Sequence, residues 1–210
     1  DRVFHVFNGL SPDFTPQPEE RVASVLSSLG IDRPYLLFVG TVEPRKNISF
    51  LLDVFDALDS FDGLLVIAGM AGWKYEAIVE KMNTFRRSDS IKWIKYVNDS
   101  DLPSLYSGAE CFVMPSFYEG FGFPPLEAMA CGTPVVSSAG GSLAEVLGDA
   151  AIIVRNFDED EWRTCLKKVI TGSALRLQLR EQGIKHAAQF QWETTARETL
   201  KILRSLPGKK

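Results

Sequence analysis

Apolar residues gather in six short runs: residues 35–40 (YLLFVG), 64–69 (LLVIAG), 91–96 (IKWIKY), 110–115 (ECFVMP), 134–138 (PVVSS) and 150–154 (AAIIV). Runs of this length, rich in Val, Ile, Leu and Phe, read as strands covered on both faces. Between them apolar residues recur at helical spacing. This predicts helices over 47–59, with Asn47 as N-cap, and near 73–87, 100–107, 124–131 and 142–147. Alternating strands and helices of this kind predict an α/β fold, a doubly wound, Rossmann-like parallel sheet of about six strands. After residue 157 the pattern turns helical throughout, adding C-terminal helices. Residues 1–16 (DRVFHVFNGLSPDFTP) read as an extended strand entering a Pro-rich turn. The expected organisation is one domain over 1–206 with a disordered tail at 207–210 (PGKK). A first residue Asp rather than Met raises the expectation of a piece of a longer protein.

A chain of 210 residues with net charge −4 has the length for one substantial core and lacks the basic balance of a nucleic-acid binder. Cys111, Cys131 and Cys165 form no CxxC pair, and His5 and His186 lie far apart in sequence, so no disulfide framework, zinc site or other metal site is expected. No signal peptide is expected from the sequence, which holds no apolar run of about 18 residues. The expected setting is the reducing cytoplasm.

In such sheets ligands bind beyond the carboxyl ends of the strands. The segment that best fits this is residues 115–136, PSFYEGFGFPPLEAMACGTPVV. Glu119 and Glu127 enclose seven residues that include Gly120, Gly122 and the pair Pro124–Pro125. Glycines after a strand let backbone amides approach a ligand, and a helix opening near Pro125 aims unpaired N–H groups and its dipole at an anion. Glu127, placed in the first helical turn, then suits vicinal hydroxyls such as those of ribose, with Glu119 on the other side of the same anion site. A plain turn followed by a helix with a favourable first-turn charge would need fewer of these features together.

This segment resembles the E-x7-E signature of the retaining GT-B glycosyltransferases of family four. The resemblance spans roughly residues 6–200 and corresponds to the carboxy-terminal half of such an enzyme. It implies half of a GT-B fold, in which Glu119 faces the donor sugar and Glu127 binds the nucleotide ribose. It also implies that amides around Phe121, Gly122 and Phe123 touch sugar and diphosphate. An amino-terminal acceptor domain would lie outside this chain.

Arg45 and Lys46, in VGTVEPRKN (39–47), are adjacent cations just past the first strand. Arg suits bidentate phosphate recognition and Lys acts as a compact charge. Alone, the pair would read as solvated loop residues, with Glu43 as a partner. Many family members carry Arg directly after the glycine, where this chain has Thr41. The chain resembles the subset written EPRKN, in which Arg45 supplies the guanidinium and Lys46 matches directly. Gly40 and Thr41 join the donor-binding set. The resemblance further implies that the backbone around Tyr96 and Val97 pairs with the nucleobase. Asp99 or Ser100 reads as the cap of the helix that follows. Gly140 and Gly141 fit equally a tight turn or a further set of anion-facing amides.

The implied activity is metal-independent transfer of a mannosyl- or glucosyl-type residue from a GDP- or UDP-linked sugar, with no cofactor. The acceptor would be a saccharide or a lipid-linked saccharide held by the absent domain, with peripheral association at the cytoplasmic membrane face as a further partner. Two rivals share the architecture. One is a non-catalytic nucleotide-sugar-binding module, and the other is a sugar-nucleotide epimerase. A dinucleotide-binding dehydrogenase would require G-x-G-x-x-G after the first strand, where only Gly40 stands.

Overall fold

The computed structural model describes residues 3–206. The sheet consists of β1 (Tyr35–Val39), β2 (Leu64–Ala68), β3 (Ile91–Ile94), β4 (Cys111–Met114), β5 (Val135–Ser138) and β6 (Ile152–Val154). Its order is β3-β2-β1-β4-β5-β6, and every neighbouring pair is parallel. The chain winds outward from β1 to the β3 edge, then returns to β4 beside β1. The direction of winding therefore reverses between β1 and β4, the switch point at which such sheets open a crevice.

The helices are α1 (Glu19–Ser28), α2 (Ile48–Asp56), α3 (Glu76–Thr84), α4 (Leu102–Ser107), α5 (Phe123–Ala130), α6 (Leu143–Leu147), α7 (Glu159–Thr171), α8 (Ser173–Ala187) and α9 (Trp192–Ser205). β2, β4 and β5 are buried along their whole length, and β1 from Tyr35 to Phe38. Leu36, Leu37, Phe38, Leu65, Val66, Phe112, Val113, Val135 and Val136 form the centre of the core. The edge strand β3 is only partly buried, and there Lys92 interrupts the apolar run.

The predicted fold class and all six strands are borne out; several local expectations are corrected. Residues 3–9 form no strand, and Leu10 makes only an isolated bridge to Gln191. Phe7 instead packs its ring against Phe121 and Phe190 at 6.3 and 5.6 Å. Helix α1 was not anticipated. Asn47 does precede α2, but in a left-handed conformation (φ 54°) and with no side-chain cap bond. It turns the chain out of a 3₁₀ turn over Pro44–Lys46, a conformation that Asn tolerates better than most residues. Helix α4 is preceded by Asp101 rather than Asp99 or Ser100, and the Asp101 carboxylate meets Arg21 at 3.4 Å instead of capping the helix. The expected tail at 207–210 lies outside the described residues.

Candidate donor-binding site

Two loops meet at the switch point. Past β1, the Gly40 amide extends the ladder to the Ala68 carbonyl (2.9 Å). Val42 then zips onto the loop after β2, donating to Met70 and accepting from Gly72 at 2.9 and 3.0 Å. Thr41 stays exposed beside Gly72. The 3₁₀ turn that follows presents Arg45, whose carbonyl accepts from the Phe117 amide at 2.9 Å. That bond ties the loop after β1 to the loop after β4.

The second loop is held from below by the segment after β5. The Glu119 amide donates to the Gly140 carbonyl, and the Glu119 carbonyl accepts from the Ser142 amide (3.0 Å) and hydroxyl (3.1 Å). A Cβ at Gly140 would collide with the Phe117 carbonyl, and one at Gly141 (φ 65°) with the Glu119 carbonyl. The double glycine is thus required for close backbone approach, which bears out the turn reading and leaves the Gly141 amide without a protein acceptor among the described residues. The contribution of Ser142 was missed, since a serine after a glycine pair carries no distinguishing pattern.

Four charged side chains gather on this framework. Lys46 Nζ lies 2.7 Å from Glu119 Oε1, and Arg45 Nη1 lies 3.0 Å from Glu119 Oε2. Arg45 also donates to the Tyr118 carbonyl at 2.6 Å and to Glu43 at 2.7 Å. Lys46 is 7% exposed and Glu119 8%, so each needs the other to offset desolvation. The Arg45 side chain is 41% exposed and faces solvent. Burial pushes the Glu119 carboxyl up, but the hydrogen bond and charge of Lys46, with further hydrogen bonding from Ser116 and Arg45, outweigh it and hold the group below the usual carboxylate range. Burial likewise opposes the Arg45 charge, yet Glu119 and Glu43 raise its pKa. The pairing with Glu43 and the gathering at the strand end are therefore both real.

Helix α5 begins at Phe123 after Gly122 (φ 104°), earlier than expected, and this has two consequences. Pro124 and Pro125 lack N–H groups, so the opening turn offers fewer donors than a helix start normally does. The amides of Gly120, Phe121, Gly122 and Phe123 supply the donors instead; none has a protein acceptor among the described residues. Glu127 falls in the second turn, not the first. Its carboxylate accepts from the Tyr106 hydroxyl at 2.7 Å. Burial raises the Glu127 pKa, and the bond from Tyr106 only partly offsets this. Tyr106, also missed, lies in DLPSLYSGAE, where an aromatic residue reads as core.

Tyr96 and Val97 follow the carboxyl end of β3, Tyr96 exposed and Val97 against the core. No hydrogen bond joins them to the charged cluster. A cavity of about 490 Å³ lies between the segment containing Leu10 and Phe14 and the end of α8, and none of Glu43, Arg45, Lys46 and Glu119 lines it. The cluster occupies an open face flanked by exposed Phe117 and Tyr118.

A parallel sheet ordered 3-2-1-4-5-6, with cations, carboxylates and unpaired amides gathered at its switch point, defines a Rossmann-like α/β protein. Residues 27–186 match the family model described as "Glycosyl transferases group 1", and the chain belongs to that family. It is 35% identical to O-antigen chain mannosyltransferase B of Escherichia coli over 98% of this chain and 55% of the relative. Sucrose-phosphate synthase from Thermosynechococcus elongatus superposes with a TM-score of 0.81 at 25% identity, covering 94% of this chain and 51% of that one. The fold alone is shared with Anabaena Alr3699/HepE, whose structure is in complex with UDP-glucose (TM-score 0.85, 18% identity, 96% and 57% covered). The chain spans about half the length of these proteins.

Proposed function

We propose that this chain is the donor-binding part of a retaining glycosyltransferase that moves a mannosyl- or glucosyl-type residue from a nucleoside-diphosphate sugar to a saccharide or lipid-linked acceptor. The observation that carries the reading is the contact of Arg45 and Lys46 with Glu119 at the switch point, beside free amides from Gly120 to Phe123. As the donor bond breaks, negative charge grows on the β-phosphate. Arg45, Lys46 and those amides stabilise it, usually the largest catalytic contribution, and no metal ion is needed in this account. Glu119, fixed on the same cations, faces the donor sugar. Glu127 takes the ribose hydroxyls, Tyr96 and Val97 border the base, and Gly40 and Thr41 line the diphosphate. The name of the E. coli relative, an O-antigen chain mannosyltransferase, supports a saccharide acceptor, and the UDP-glucose complex of HepE supports a nucleotide-sugar donor.

Calorimetry with GDP, UDP and ADP and their sugar conjugates tests the reading. Glu127→Ala is expected to weaken nucleoside-diphosphate binding by roughly 1.5–3 kcal/mol, the scale of hydrogen bonds to a charged group. Lys46→Ala is expected to weaken diphosphate binding more than nucleoside binding. Unchanged affinities in both variants would refute the assignment.

A further inference from the structure

Tyr106 carries a hydroxyl in a place built for a ring. It is fully buried on α4, with its ring 6.0 Å from Phe14 and 5.7 Å from Phe112. Its carbonyl accepts from the Thr133 hydroxyl at 2.6 Å, which pins the backbone to the turn after α5. Phenylalanine would fill the same space and leave no buried hydroxyl to satisfy. The hydroxyl makes one hydrogen bond among the described residues, to Glu127 Oε2. That bond crosses from the helix following β3 to the helix following β4, the two elements on either side of the proposed nucleoside position.

We propose that Tyr106 is a positioning residue for donor binding, holding the Glu127 carboxylate through Oε2 so that Oε1 stays directed to the ribose. This rests on the reading of Glu127 as the ribose-binding group. The groups facing Glu127 are Tyr106 from α4 and Cys131, the residue that follows α5. Burial pushes the Cys131 thiol up to about 12 and the Tyr106 hydroxyl well above its ordinary value, so both stay neutral. No Lys or Arg pairs with Glu127 among the described residues. The Tyr106 bond is therefore the protein's main support for the ionised carboxylate, and it opposes the burial that raises the Glu127 pKa. Losing it should move the loss of binding on acidification to higher pH. A merely structural tyrosine would not move that limb.

The experiment follows GDP and UDP affinity from neutral to acidic pH in the parent, Tyr106→Phe, Glu127→Gln and a protein with 3-fluorotyrosine at position 106, with pyrophosphate as the phosphate-only probe. Tyr106→Phe is expected to lose about five- to tenfold in nucleoside-diphosphate affinity at neutral pH. Its acid limb should shift upward, with pyrophosphate binding as in the parent. The fluorinated ring, a stronger donor of nearly the same volume, is expected to shift the limb downward, and it tests the bond even where Tyr106→Phe folds poorly. An unmoved limb in the fluorinated protein, or in a folded Tyr106→Phe, overturns the positioning role while a weakened Glu127→Gln leaves the ribose reading standing. Parent-like binding by Glu127→Gln overturns both.

Discussion

Glu119 and Glu127 carry the same carboxylate in opposite environments, and their contributions to stability have opposite signs. Lys46 and Arg45 hold the Glu119 pKa below its unfolded value despite burial. Its contribution is therefore fully present above the ordinary carboxylate range and is lost as pH falls through the depressed folded value. Burial holds the Glu127 pKa above its unfolded value, with no cation to offset it. That penalty is present above the raised folded value and is lifted as pH falls through it. Glu127→Gln is accordingly expected to melt higher than the parent at neutral pH, with the difference shrinking on acidification. Glu119→Gln is expected to melt lower at neutral pH, because it leaves Lys46 buried without a counter-charge. Its difference should also shrink toward strongly acidic pH. Melting temperatures measured against pH check both signs, and two curves of the same sign would contradict the contrast. A residue kept at a cost to stability is what a binding role predicts for Glu127.

Among the elements, the loop carrying Glu119 depends on backbone approach to the segment after β5. Gly141→Ala places a Cβ against the Glu119 carbonyl at a left-handed position. Gly30→Ala meets the same backbone preference (φ 64°), but its nearest neighbour is the flexible end of Lys92 at 3.1 Å. Both variants are expected to lose about 1–2 kcal/mol from the left-handed conformation. Gly141→Ala alone should displace Glu119 and weaken nucleotide-sugar binding, read by calorimetry beside a melting curve. Equal binding in the two variants would separate this loop from the donor site. The central strands were legible because helices cover both faces of β1, β2, β4 and β5, leaving unbroken apolar runs. Helix α1 was not, because it buries only Val25 and its remaining positions are mixed. The apolar residues Val3, Phe4, Val6 and Phe7 fall in the stretch read as a strand, yet strand formation needs a paired edge, and Phe7 found aromatic partners instead. The pattern alone could place Arg45, Lys46 and Glu119 in loops after strands, while the parts given to Tyr96, Val97 and the amides around Phe121 to Phe123 came from the family resemblance. The contact of Lys46 with Glu119, 73 positions apart, and the bond from Tyr106 to Glu127 depend on sheet order, which local periodicity does not encode.

Across the whole molecule, the core and the proposed donor site are of one piece while one flank is left open. Six strands and their covering helices form a continuous core, so the chain is expected to fold by itself. Arg45, Lys46, Glu119 and Glu127 all belong to it, so nucleotide-sugar binding should persist in the isolated chain. Lys46 and Glu119 are buried, but Arg45 above them sits on an open face, where solvent screens its charge and would hydrate a bound donor. Helix α9 has no buried residue, and Trp192, Leu200 and Leu203 are about half exposed along it. Relatives about twice as long have further chain that could cover these surfaces. We therefore expect this chain to bind GDP- or UDP-sugar more weakly than a full-length form and to transfer no sugar alone. An assay with purified chain, donor and a broad set of saccharide and lipid-linked acceptors, run beside calorimetry on the same preparation, checks both halves of the expectation. Acceptor-dependent transfer above background would show that the catalytic apparatus is complete within these 210 residues. Binding without transfer would place the acceptor contacts, and the exclusion of water at the anomeric carbon, in chain that packs against this open face.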